Sequence, residues 1–479
     1  MLVSVLSVLN LGALVIAAIF AYESRREREI RAHRIGLAGV GFHFLLGLAI
    51  LFFPGIRTPV VWFFGIFLTG FALLLIPPRK NARSLKGAAG YLTVDGSGFL
   101  LMDERDIPFA RNRCLIPGSE QYEAYYRMHP ERKDHDDRRR ERGGPLGRPG
   151  SIDQSYRPNV SMLVSSFELP NMVGHKARVN PGSAGAQSTY AAKGETPPPF
   201  SMDPAKATRI VKEWARHLGA DLVGVCKINP QWAYSHKGEI HYGEWEEWGK
   251  PVPEPLPYAV VVATAMDSNM VATAPHTPAV VESGYNYARG AYITTIMAQW
   301  FGNMGYRAVA EHNRHYDLLM VPLAVDAGLG ELGRQGYLIA DRYGPRVRLF
   351  AVQTDMPLVP DRPVDLGAEK FCETCRKCAE SCPSSSIPRE RRKTTDRRIL
   401  RWKLNEDTCF DYWGKIGTDC CVCMAVCPFS RPYRSIHKLV RYLLRRSALA
   451  RILFPHVDNF IYGRKWKPRK PLEWMAWPK

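Results

Sequence analysis

The stretch FCETCRKCAESCP at residues 371–383, together with DCCVCMAVCPF at residues 419–429, decides how the chain is organised. The first stretch has the spacing Cys-x2-Cys-x2-Cys-x3-Cys-Pro, and the second ends in Cys-x2-Cys-x3-Cys-Pro. In this spacing three thiolates hold one [4Fe–4S] cluster and the fourth reaches a second cluster. The proline after each last cysteine ends the local turn. The sequence therefore predicts two iron–sulfur clusters.

The pseudo-symmetry of the two stretches divides the thiolates into two sets. The first cluster is assigned to Cys372, Cys375, Cys378 and Cys427, and the second to Cys382, Cys409, Cys420 and Cys423. A zinc site needs only four thiolates or histidines and explains the pattern less well. Disulfides are disfavoured because such spacings gather thiols around a metal. Cys114, Cys226 and Cys421 are left over, and we expect them to be small buried residues.

Length and charge limit the classes of protein to consider. The 479 residues suffice for a membrane anchor and one large or two modest domains. The formal charge of +19 favours an anionic partner, such as a nucleic acid, an anionic membrane surface or an acidic electron carrier. Composition alone does not choose among these three.

Three apolar runs, at residues 2–22, 35–53 and 60–76, have about the 20 residues that a helix needs to cross a bilayer. No basic segment precedes the first run and no cleavage site follows it. The sequence therefore predicts that residues 1–86 form a retained anchor of three transmembrane helices. Because the third run is short, a re-entrant hairpin with one further span is the alternative.

Basic residues are unevenly distributed over the loops between these runs. Residues 23–34 carry five arginines and residues 77–86 four basic residues, whereas residues 54–59 carry only Arg57. Because positive loops stay in the cytoplasm, we expect a multi-pass protein of the bacterial inner membrane whose catalytic domain faces the cytoplasm. His43, inside the second run, could contact a haem or a quinone, but packing against a neighbouring helix is the favoured interpretation.

The remaining chain divides by composition. Residues 87–202 are predicted to form a linker and wrapping segment, whose stretch 128–152 is charged and then glycine-rich, as in a solvated flexible linker. Residues 203–365 form the core, residues 366–430 the cysteine module and residues 431–479 a basic C-terminal segment. A basic helix with an apolar stripe is predicted at residues 431–454; it lies either on the anionic inner leaflet or against the domain.

The core has alternating patterns of helix and strand. Helices are predicted at residues 205–218, capped by Asp203-Pro204, and 288–304, and strands at 222–226, 258–265, 318–325 and 347–354. Such an order, followed by a cysteine-rich insert, predicts an α+β fold.

The motifs that carry chemistry lie between Ser283 and Pro360. This segment has no Gly-x-Gly-x-x-Gly fingerprint, which disfavours a Rossmann nicotinamide site. Its motifs are GYNYAR at 284–289, GLGELGR at 328–334 and GPRVR at 344–348. Together with GADLVG at 219–224 and the two cysteine stretches, in this order, they resemble the reductive dehalogenase family of corrinoid iron–sulfur enzymes. The resemblance covers about residues 203–430.

The resemblance implies a nitroreductase-like, corrinoid-binding α+β core and a bacterial ferredoxin-like module with two [4Fe–4S] clusters, here preceded by N-terminal transmembrane helices. It places the family's catalytic tyrosine at Tyr287, its asparagine at Asn313 and its arginine at Arg346. Replacing halogen by hydrogen needs a proton donor, and a neighbouring guanidinium would stabilise the phenolate left behind. The alternatives in the same motifs are Tyr285, Tyr292 and Arg348. Gly328, Gly330 and Gly333 are predicted to let the backbone approach the cobalamin-type corrinoid, ordinary tight turns being the alternative.

The resulting hypothesis is a membrane-anchored reductive dehalogenase that acts on an organohalide. An epoxyqueuosine reductase-like enzyme acting on tRNA suits the basic charge but not the anchor, so a nucleic-acid partner is disfavoured. A membrane electron-transfer subunit without its own substrate is the third hypothesis, although it leaves residues 203–360 without a purpose. Respiratory members of the family are exported and held by a separate membrane protein, whereas here the anchor is fused. The electron donor is accordingly left open between a quinol and a ferredoxin or flavodoxin.

Overall fold

The computed structural model describes residues 1–77, 87, 100–143, 157–181, 198–241, 245–391, 393–396 and 399–475. The chain forms two compact units. The first unit comprises residues 1–80, 366–377 and 431–466, and the second comprises residues 81–365, 378–430 and 467–479.

The helices and strands of the described residues have the following bounds. The helices are α1 (Leu2–Arg26), α2 (Ile30–Phe52), α3 (Arg57–Leu74), α4 (Pro108–Cys114), α5 (Glu120–Met128), α6 (Pro130–Arg142), α7 (Arg157–Ser166), α8 (Glu168–Val173), α9 (Pro204–His217), α10 (Ser268–Val271), α11 (Thr277–Asn303), α12 (Met320–Asp326), α13 (Ala368–Cys375), α14 (Lys377–Ser381), α15 (Glu406–Ile416), α16 (Val422–Ala425), α17 (Ser435–Arg446) and α18 (Ala448–Tyr462). The strands are β1 (Arg178–Val179), β2 (Leu222–Lys227), β3 (Tyr258–Ala265), β4 (Ala308–Glu311), β5 (Gly330–Leu332), β6 (Leu338–Ala340), β7 (Val347–Thr354), β8 (Thr394–Asp396) and β9 (Ile399–Arg401).

The first unit contains the three apolar helices α1, α2 and α3, each long and apolar enough to cross a membrane. α1 and α2 pack closely, because a Cβ on Gly36 would lie only 2.8 Å from the backbone of Ala21. His43 is paired across this contact: its Nδ1 lies 2.9 Å from Asn10 Oδ1, and its carbonyl accepts from Asn10 Nδ2 at 2.8 Å. The interpretation of His43 as a histidine packed on a neighbouring helix is thus confirmed, and the chain carries an apolar N-terminal region suited to membrane anchoring.

The second unit is organised around a five-stranded antiparallel sheet in the order β1-β4-β7-β3-β2. The longest pairing joins β3 to β7, from Tyr258 opposite Thr354 to Ala265 opposite Val347. The predicted strands at 222–226, 258–265 and 347–354 are confirmed. The near-continuous run of Val and Ala in β3 suits a central strand that is buried on both faces.

Both faces of this sheet are covered. On one face, Val260 and Val262 of β3 pack with residues of α9 and α11; on the other, Ala259, Val261 and Ala263 pack with α12 and the segment after it. α9 begins where Asp203-Pro204 predicted, and Asp203 Oδ1 accepts from Lys206 N at 2.9 Å. The second unit therefore has the mixed helix and sheet core that the α+β prediction requires.

Two predicted elements of this core are wrong in type or extent. Residues 318–325, predicted as a strand, form the short helix α12, because a short apolar run buried on one side of the sheet fits either structure. The helix predicted at 288–304 begins earlier, at Thr277, and ends at Asn303. Gly290 within it is required, because a Cβ there would lie 2.2 Å from the Phe350 ring. That close approach holds α11 against β7.

The charged stretch at 128–152, predicted as a flexible linker, is partly wrong. Its residues 130–142 form helix α6, whereas residues 144–152 lie outside the described residues. The helix is stable in this position because its charges are compensated: Asp136 accepts from Arg111 at 2.6 Å and from Arg139 at 3.0 Å, and all three side chains are buried. Composition reports the charge of such a segment but not the presence of its partners.

The basic helix predicted at 431–454 is two helices, α17 and α18, which meet at Ser447. Ser447 is fully buried, and its hydroxyl accepts from Ala450 N at 3.2 Å, which caps α18. The sequence did not predict the break between α17 and α18, because the apolar stripe of residues 431–454 continues on both sides of Ser447.

Candidate active site

Tyr287 lies on α11 where this helix crosses β7. Its ring packs edge-on against Phe350 of β7, with centroids 6.4 Å apart, and lies 5.9 Å from the Phe167 ring. The residue is half-buried, whereas its predicted rivals Tyr285 and Tyr292 are 53% and 45% exposed. Among these tyrosines the structure places Tyr287 in the interior.

Arg348 lies against the Tyr287 ring. Its guanidinium carbon is 5.1 Å from the ring centroid, and Nη2 donates to Ser283 Oγ at 2.6 Å. Nη2 also lies 3.3 Å from Asp419 Oδ2, which accepts from Ser283 Oγ at 2.8 Å. Burial raises the pKa of Tyr287, while the charge of Arg348 opposes that rise. The phenol is therefore protonated at neutral pH and lies beside a cation that would stabilise its phenolate.

Arg346, the predicted arginine, makes different contacts. Its Nε donates to the carbonyl of Ser430 at 2.6 Å and its Nη1 donates to the carbonyl of Met266, while Met266 N donates back to the Arg346 carbonyl at 3.0 Å. The guanidinium is buried, and burial lowers its pKa. Arg346 thus ties the start of β7 to the end of the cysteine module. The structure brings Arg348 to the Tyr287 ring, and the role of Arg346 stays a prediction.

Asn313 lies in the turn after β4. This turn is closed by two hydrogen bonds between the backbones of His312 and His315, of 2.8 and 2.9 Å. Asn313 Oδ1 and His312 Nε2 are buried and have no hydrogen-bond partner among the residues that the structure describes. The next residue, Arg314, stacks on Phe167 at 5.0 Å, and Phe167 contacts Tyr287. The turn that holds Asn313 is thus linked to Tyr287 through Arg314 and Phe167.

A cavity of about 410 Å³ opens beside this turn. It is lined by Glu104, Gly174, His175, Ala177, Arg178, Lys237, Glu239, Ile240, His241, Glu246, Glu247, Arg314, His315 and Tyr316. Burial lowers the pKa of His241 to about 2, that of His315 to about 3 and that of His312 to about 4, so these imidazoles are neutral at physiological pH. The lining thus combines two of these neutral imidazoles, His241 and His315, with acidic and basic side chains.

Glu104, which lines this cavity, is a buried acid whose pKa makes the stability of the protein depend on pH. It is 1% exposed, accepts from Gly238 N at 2.8 Å, and burial raises its pKa to about 8 although Lys237 opposes the rise. The folded protein binds this proton more tightly than the unfolded chain, so stability is lost as the pH rises from the unfolded pKa towards the folded one.

We expect Glu104→Gln to stabilise the protein above about pH 8, by on the order of 3 kcal/mol, and to change little near pH 4. Thermal unfolding of the purified protein across this pH range measures the difference, with the exposed Glu123→Gln as control. A stabilisation that is the same at both pH extremes would rule out the buried acid as its cause.

The predicted glycine contacts have explanations within the chain. A Cβ on Gly330 would lie 2.2 Å from the Ile339 carbonyl in the β5–β6 hairpin, and one on Gly328, at φ +73°, would lie 2.5 Å from the Arg362 carbonyl. A Cβ on Gly333 would lie 2.9 Å from Gln335 and Ile339. The close approaches are therefore to the protein's own atoms, and corrinoid binding by these glycines stays a prediction.

The second cysteine set surrounds one cavity. Cys382, Cys409, Cys420 and Cys423 all line it, with Tyr337, Arg348, Trp413, Asp419 and Cys421 among the other lining residues. Burial and the neighbouring thiols raise the pKa of Cys409 and of Cys420 to about 12. Cys420 and Cys421 have φ of +63° and +57°, a strained conformation for residues other than glycine. Four thiols gathered in one buried space fit a cluster, since a metal removes the protons that burial otherwise retains.

The first cysteine set is distributed over the two units. Cys372 and Cys375 belong to the first unit, and Cys378 and Cys427 to the second. Cys372, Cys378 and Cys427 are buried and Cys375 is half-buried. Their assignment to one cluster stays a prediction from the spacing.

Sequence reasoning missed the residues that connect the second cysteine set to Tyr287. Asp419 precedes Cys420, and it contacts Arg348 and Ser283. Cys421 is buried, as predicted for the three remaining cysteines, and its thiol donates to Asp419 Oδ1 at 3.3 Å. Among these connecting residues, only Arg348 could be singled out from the sequence, as the second arginine of the GPRVR motif.

A second group of acidic and histidine side chains resembles a metal site but is already neutralised. His135, Asp136 and Asp407 lie close enough to share a cation. Arg139, however, donates to Asp136 at 3.0 Å and to Asp407 at 2.8 Å. Because Arg111 contacts the same two carboxylates, we assign no metal here.

Comparison with known proteins gives several reductive dehalogenases among the relatives of this chain. No family model matches the sequence. The tetrachloroethene reductive dehalogenase of Sulfurospirillum multivorans is 36% identical over 298 residues, which are 56% of this chain and 59% of that protein. The enzyme of the same name from Dehalobacter restrictus is 29% identical and covers 49% of this chain and 50% of its own length. The chain thus spans between half and three fifths of these relatives.

Solved structures agree in fold. The catabolic reductive dehalogenase NpRdhA superposes with a TM-score of 0.59 at 23% identity, over 78% of this chain and 48% of that one. A reductive dehalogenase described with a mechanism for B12-dependent dehalogenation gives a TM-score of 0.58 at 23% identity, over 78% of this chain and 47% of that one.

A relative of another kind is found by sequence. An epoxyqueuosine reductase of Lactococcus garvieae is 29% identical over a shorter stretch, 28% of this chain and 37% of its own length.

Proposed function

We propose that this chain is a member of the reductive dehalogenase family and replaces a halogen by hydrogen in an organohalide while anchored to a membrane. One observation carries the proposal. The Arg348 guanidinium contacts both the ring of Tyr287 and Asp419, at the wall of the cavity that four cysteines surround. A proton donor and an electron-transfer centre are thus joined by one side chain.

The reaction consumes two electrons and one proton: the carbon–halogen bond breaks, a carbon–hydrogen bond forms and halide leaves. The proton comes from the hydroxyl of Tyr287, which burial keeps protonated. The phenolate that results lies beside Arg348, whose charge stabilises it. Asn313, with its unpaired Oδ1, orients the substrate or the phenol.

A corrinoid, when bound, supplies the reducible cobalt at which the halogen is removed. In this proposal Tyr287 and Asn313 would lie next to the bound corrinoid, and His315 and Tyr316 would offer polar contacts to it. The glycines 328, 330 and 333 remain candidates for contacts to its edge. The B12-dependent chemistry described for a structural neighbour supports the choice of cofactor.

Two [4Fe–4S] clusters supply the electrons singly. We assign the second to the cysteines that line the buried cavity, Cys382, Cys409, Cys420 and Cys423. We assign the first, from its spacing, to Cys372, Cys375, Cys378 and Cys427. The donor to this cluster is a quinol, or a ferredoxin or flavodoxin attracted by the net charge of +19.

In this proposal the enzyme is a multi-pass protein of the bacterial inner membrane. The basic loops at residues 23–34 and 77–86 support a cytoplasmic position for the catalytic unit. Epoxyqueuosine reductase activity is the second candidate, but its relative matches half as much of this chain and the three apolar helices do not suit a tRNA substrate.

Halide release tests the proposal. The full chain, purified anaerobically in detergent and reconstituted with corrinoid, iron and sulfide, is supplied with a low-potential reductant and a panel of aryl and alkenyl halides. We expect chloride or bromide release in amounts equal to the dehalogenated product. Reduction of an epoxyqueuosine-containing tRNA stem loop without halide release from any member of the panel would favour the second candidate.

The contact between Arg348 and Tyr287 predicts a shift in the pH profile. Without Arg348 the pKa of Tyr287 rises further, so the alkaline limb of activity moves to higher pH while the maximal rate falls at least about tenfold. Arg348→Gln measures this effect, Arg348→Lys should restore part of it, and the exposed Arg209→Gln is the control. If Arg346→Gln moves the alkaline limb of activity and Arg348→Gln does not, then Arg346 is the arginine that stabilises the Tyr287 phenolate.

A further inference from the structure

α18 presents an apolar face to the exterior. Leu449, Ile452, Leu453, Val457 and Phe460 are 37%, 51%, 43%, 44% and 66% exposed. The other four lie three, four, eight and eleven residues after Leu449, which puts them on one side of a helix. Such a stripe ordinarily faces a protein core, and here it does not.

The opposite face of α18 is buried and polar. Arg451 is 6% exposed, and its Nε donates to the Leu444 carbonyl at 2.6 Å, which caps the C-terminus of α17. Asp458 is paired with Lys377 and, at 3.0 Å, with Arg431. In α18 the buried face is therefore polar and the exposed face is apolar, the reverse of a helix on the surface of a water-soluble protein. This reversal indicates that the exposed face lies in apolar surroundings.

Helix α18 lies against the apolar helices of the first unit. It packs against α2 and α3. The short turn between α1 and α2 is joined to the segment before α18 by two ion pairs: Glu29 accepts from Arg431 at 2.8 Å, and Glu27 lies 3.1 Å from His437 Nε2. The α17–α18 pair is thus fixed at the end of the apolar helices where Glu27 and Glu29 lie.

The charges around this face are of one sign. Asp458 is the only acidic residue between positions 431 and 472, and it lies on the inner side of α18. The exposed side chains of α17 include Lys438, Arg445 and Arg446, with the exposed aromatic ring of Tyr442 among them. Lysine and arginine next to an apolar stripe match the anionic headgroups above an acyl layer.

We propose that α17 and α18 form an interfacial helix pair, lying in the headgroup region of an anionic bilayer next to the spanning helices, with the stripe from Leu449 to Phe460 in contact with acyl chains. The pair would fix the first unit at a defined depth and would place Cys372 and Cys375 of α13 near the membrane surface, since α13 packs against α18. This inference rests on the apolar helices and is independent of the dehalogenation chemistry.

Photolabelling of the full-length protein tests the proposal. The protein is reconstituted in vesicles whose phosphatidylcholine or phosphatidylglycerol carries a diazirine on the acyl chain, irradiated, digested and mapped by mass spectrometry. We expect lipid adducts on peptides from residues 447–463 as well as on α1–α3, and none on the amphipathic helix α9 of the second unit. Adducts confined to α1–α3 would overturn the proposal.

Variants separate lipid from protein as the occupant of this face. Ile452→Glu and Phe460→Glu change exposed side chains, so the fold is retained, and we expect each to lower adduct yield on residues 447–463 at least about threefold, with no change for Lys206→Glu on α9. Lys438→Gln combined with Arg446→Gln should abolish the preference for phosphatidylglycerol. If residues 447–463 carry no lipid adducts and a bifunctional cross-linker joins two copies of the chain through this face, the face is a dimer contact instead.

Discussion

Tyr287→Phe is expected to lower the rate of halide release by about 10²- to 10⁴-fold, the range that general-acid catalysis contributes, with cobalt and iron content unchanged. Phenylalanine retains the edge contact with Phe350 and the neighbouring Phe167, and it still lies under the Arg348 guanidinium. The substitution therefore removes the transferable proton and little else. Single-turnover and steady-state halide release at neutral pH measure the loss.

Two neighbouring tyrosines are the matched controls for this variant. Tyr285 and Tyr292 are on the same helix and exposed, so their replacement by phenylalanine should leave the rate within about twofold of the unmodified enzyme. An equal loss from Tyr285→Phe would show that the site had been placed on the wrong side of α11. Full activity of Tyr287→Phe would show that the proton comes from water or another group.

Cys420→Ala is expected to remove the second cluster and abolish turnover. Iron should fall from about eight to about four atoms per chain, since each cubane holds four. Cys421→Ala is the control: the neighbouring residue has nearly the same backbone conformation, with φ of +57° against +63°, so both alanines carry a similar strain. We expect Cys421→Ala to retain its iron, as measured by metal analysis and the low-temperature electron paramagnetic resonance of the reduced clusters.

The reverse result would change the ligand set. If Cys421→Ala loses half of the iron and Cys420→Ala does not, the thiol beside Asp419 is the ligand. The contact between Cys421 and Asp419 would then be broken by the metal. The path from the cluster to Tyr287 would shorten accordingly.

Strong local signals made part of this fold predictable. Cysteine spacing identified the residues that gather around the second cavity, because ligand geometry constrains spacing directly. The bounds of β3 and β7 follow from their short apolar runs, and the start of α9 follows from Asp203-Pro204. The three apolar helices follow from length and composition.

Features that depend on distant partners were not predictable. Residues 130–142 look like a solvated segment until Arg111 is known to lie against Asp136. Residues 318–325 have the composition of a strand, and only packing under the sheet decides for a helix. Arg346 and Arg348 are equivalent in sequence, two residues apart, and the position of α11 decides which of them reaches Tyr287. In each case a contact far away in sequence overrides the local pattern.

The central proposal is that this chain binds a corrinoid beside two iron–sulfur clusters. Cobalt and iron analysis of the full chain, produced with a corrinoid supplied and purified anaerobically, tests it most directly. We predict cobalt equimolar with the protein and about eight iron atoms per chain, with a cobalt signal that Tyr287→Phe does not abolish. Protein that carries its full iron but no cobalt, under conditions where corrinoid is in excess, would contradict the account and leave only an electron-transfer role.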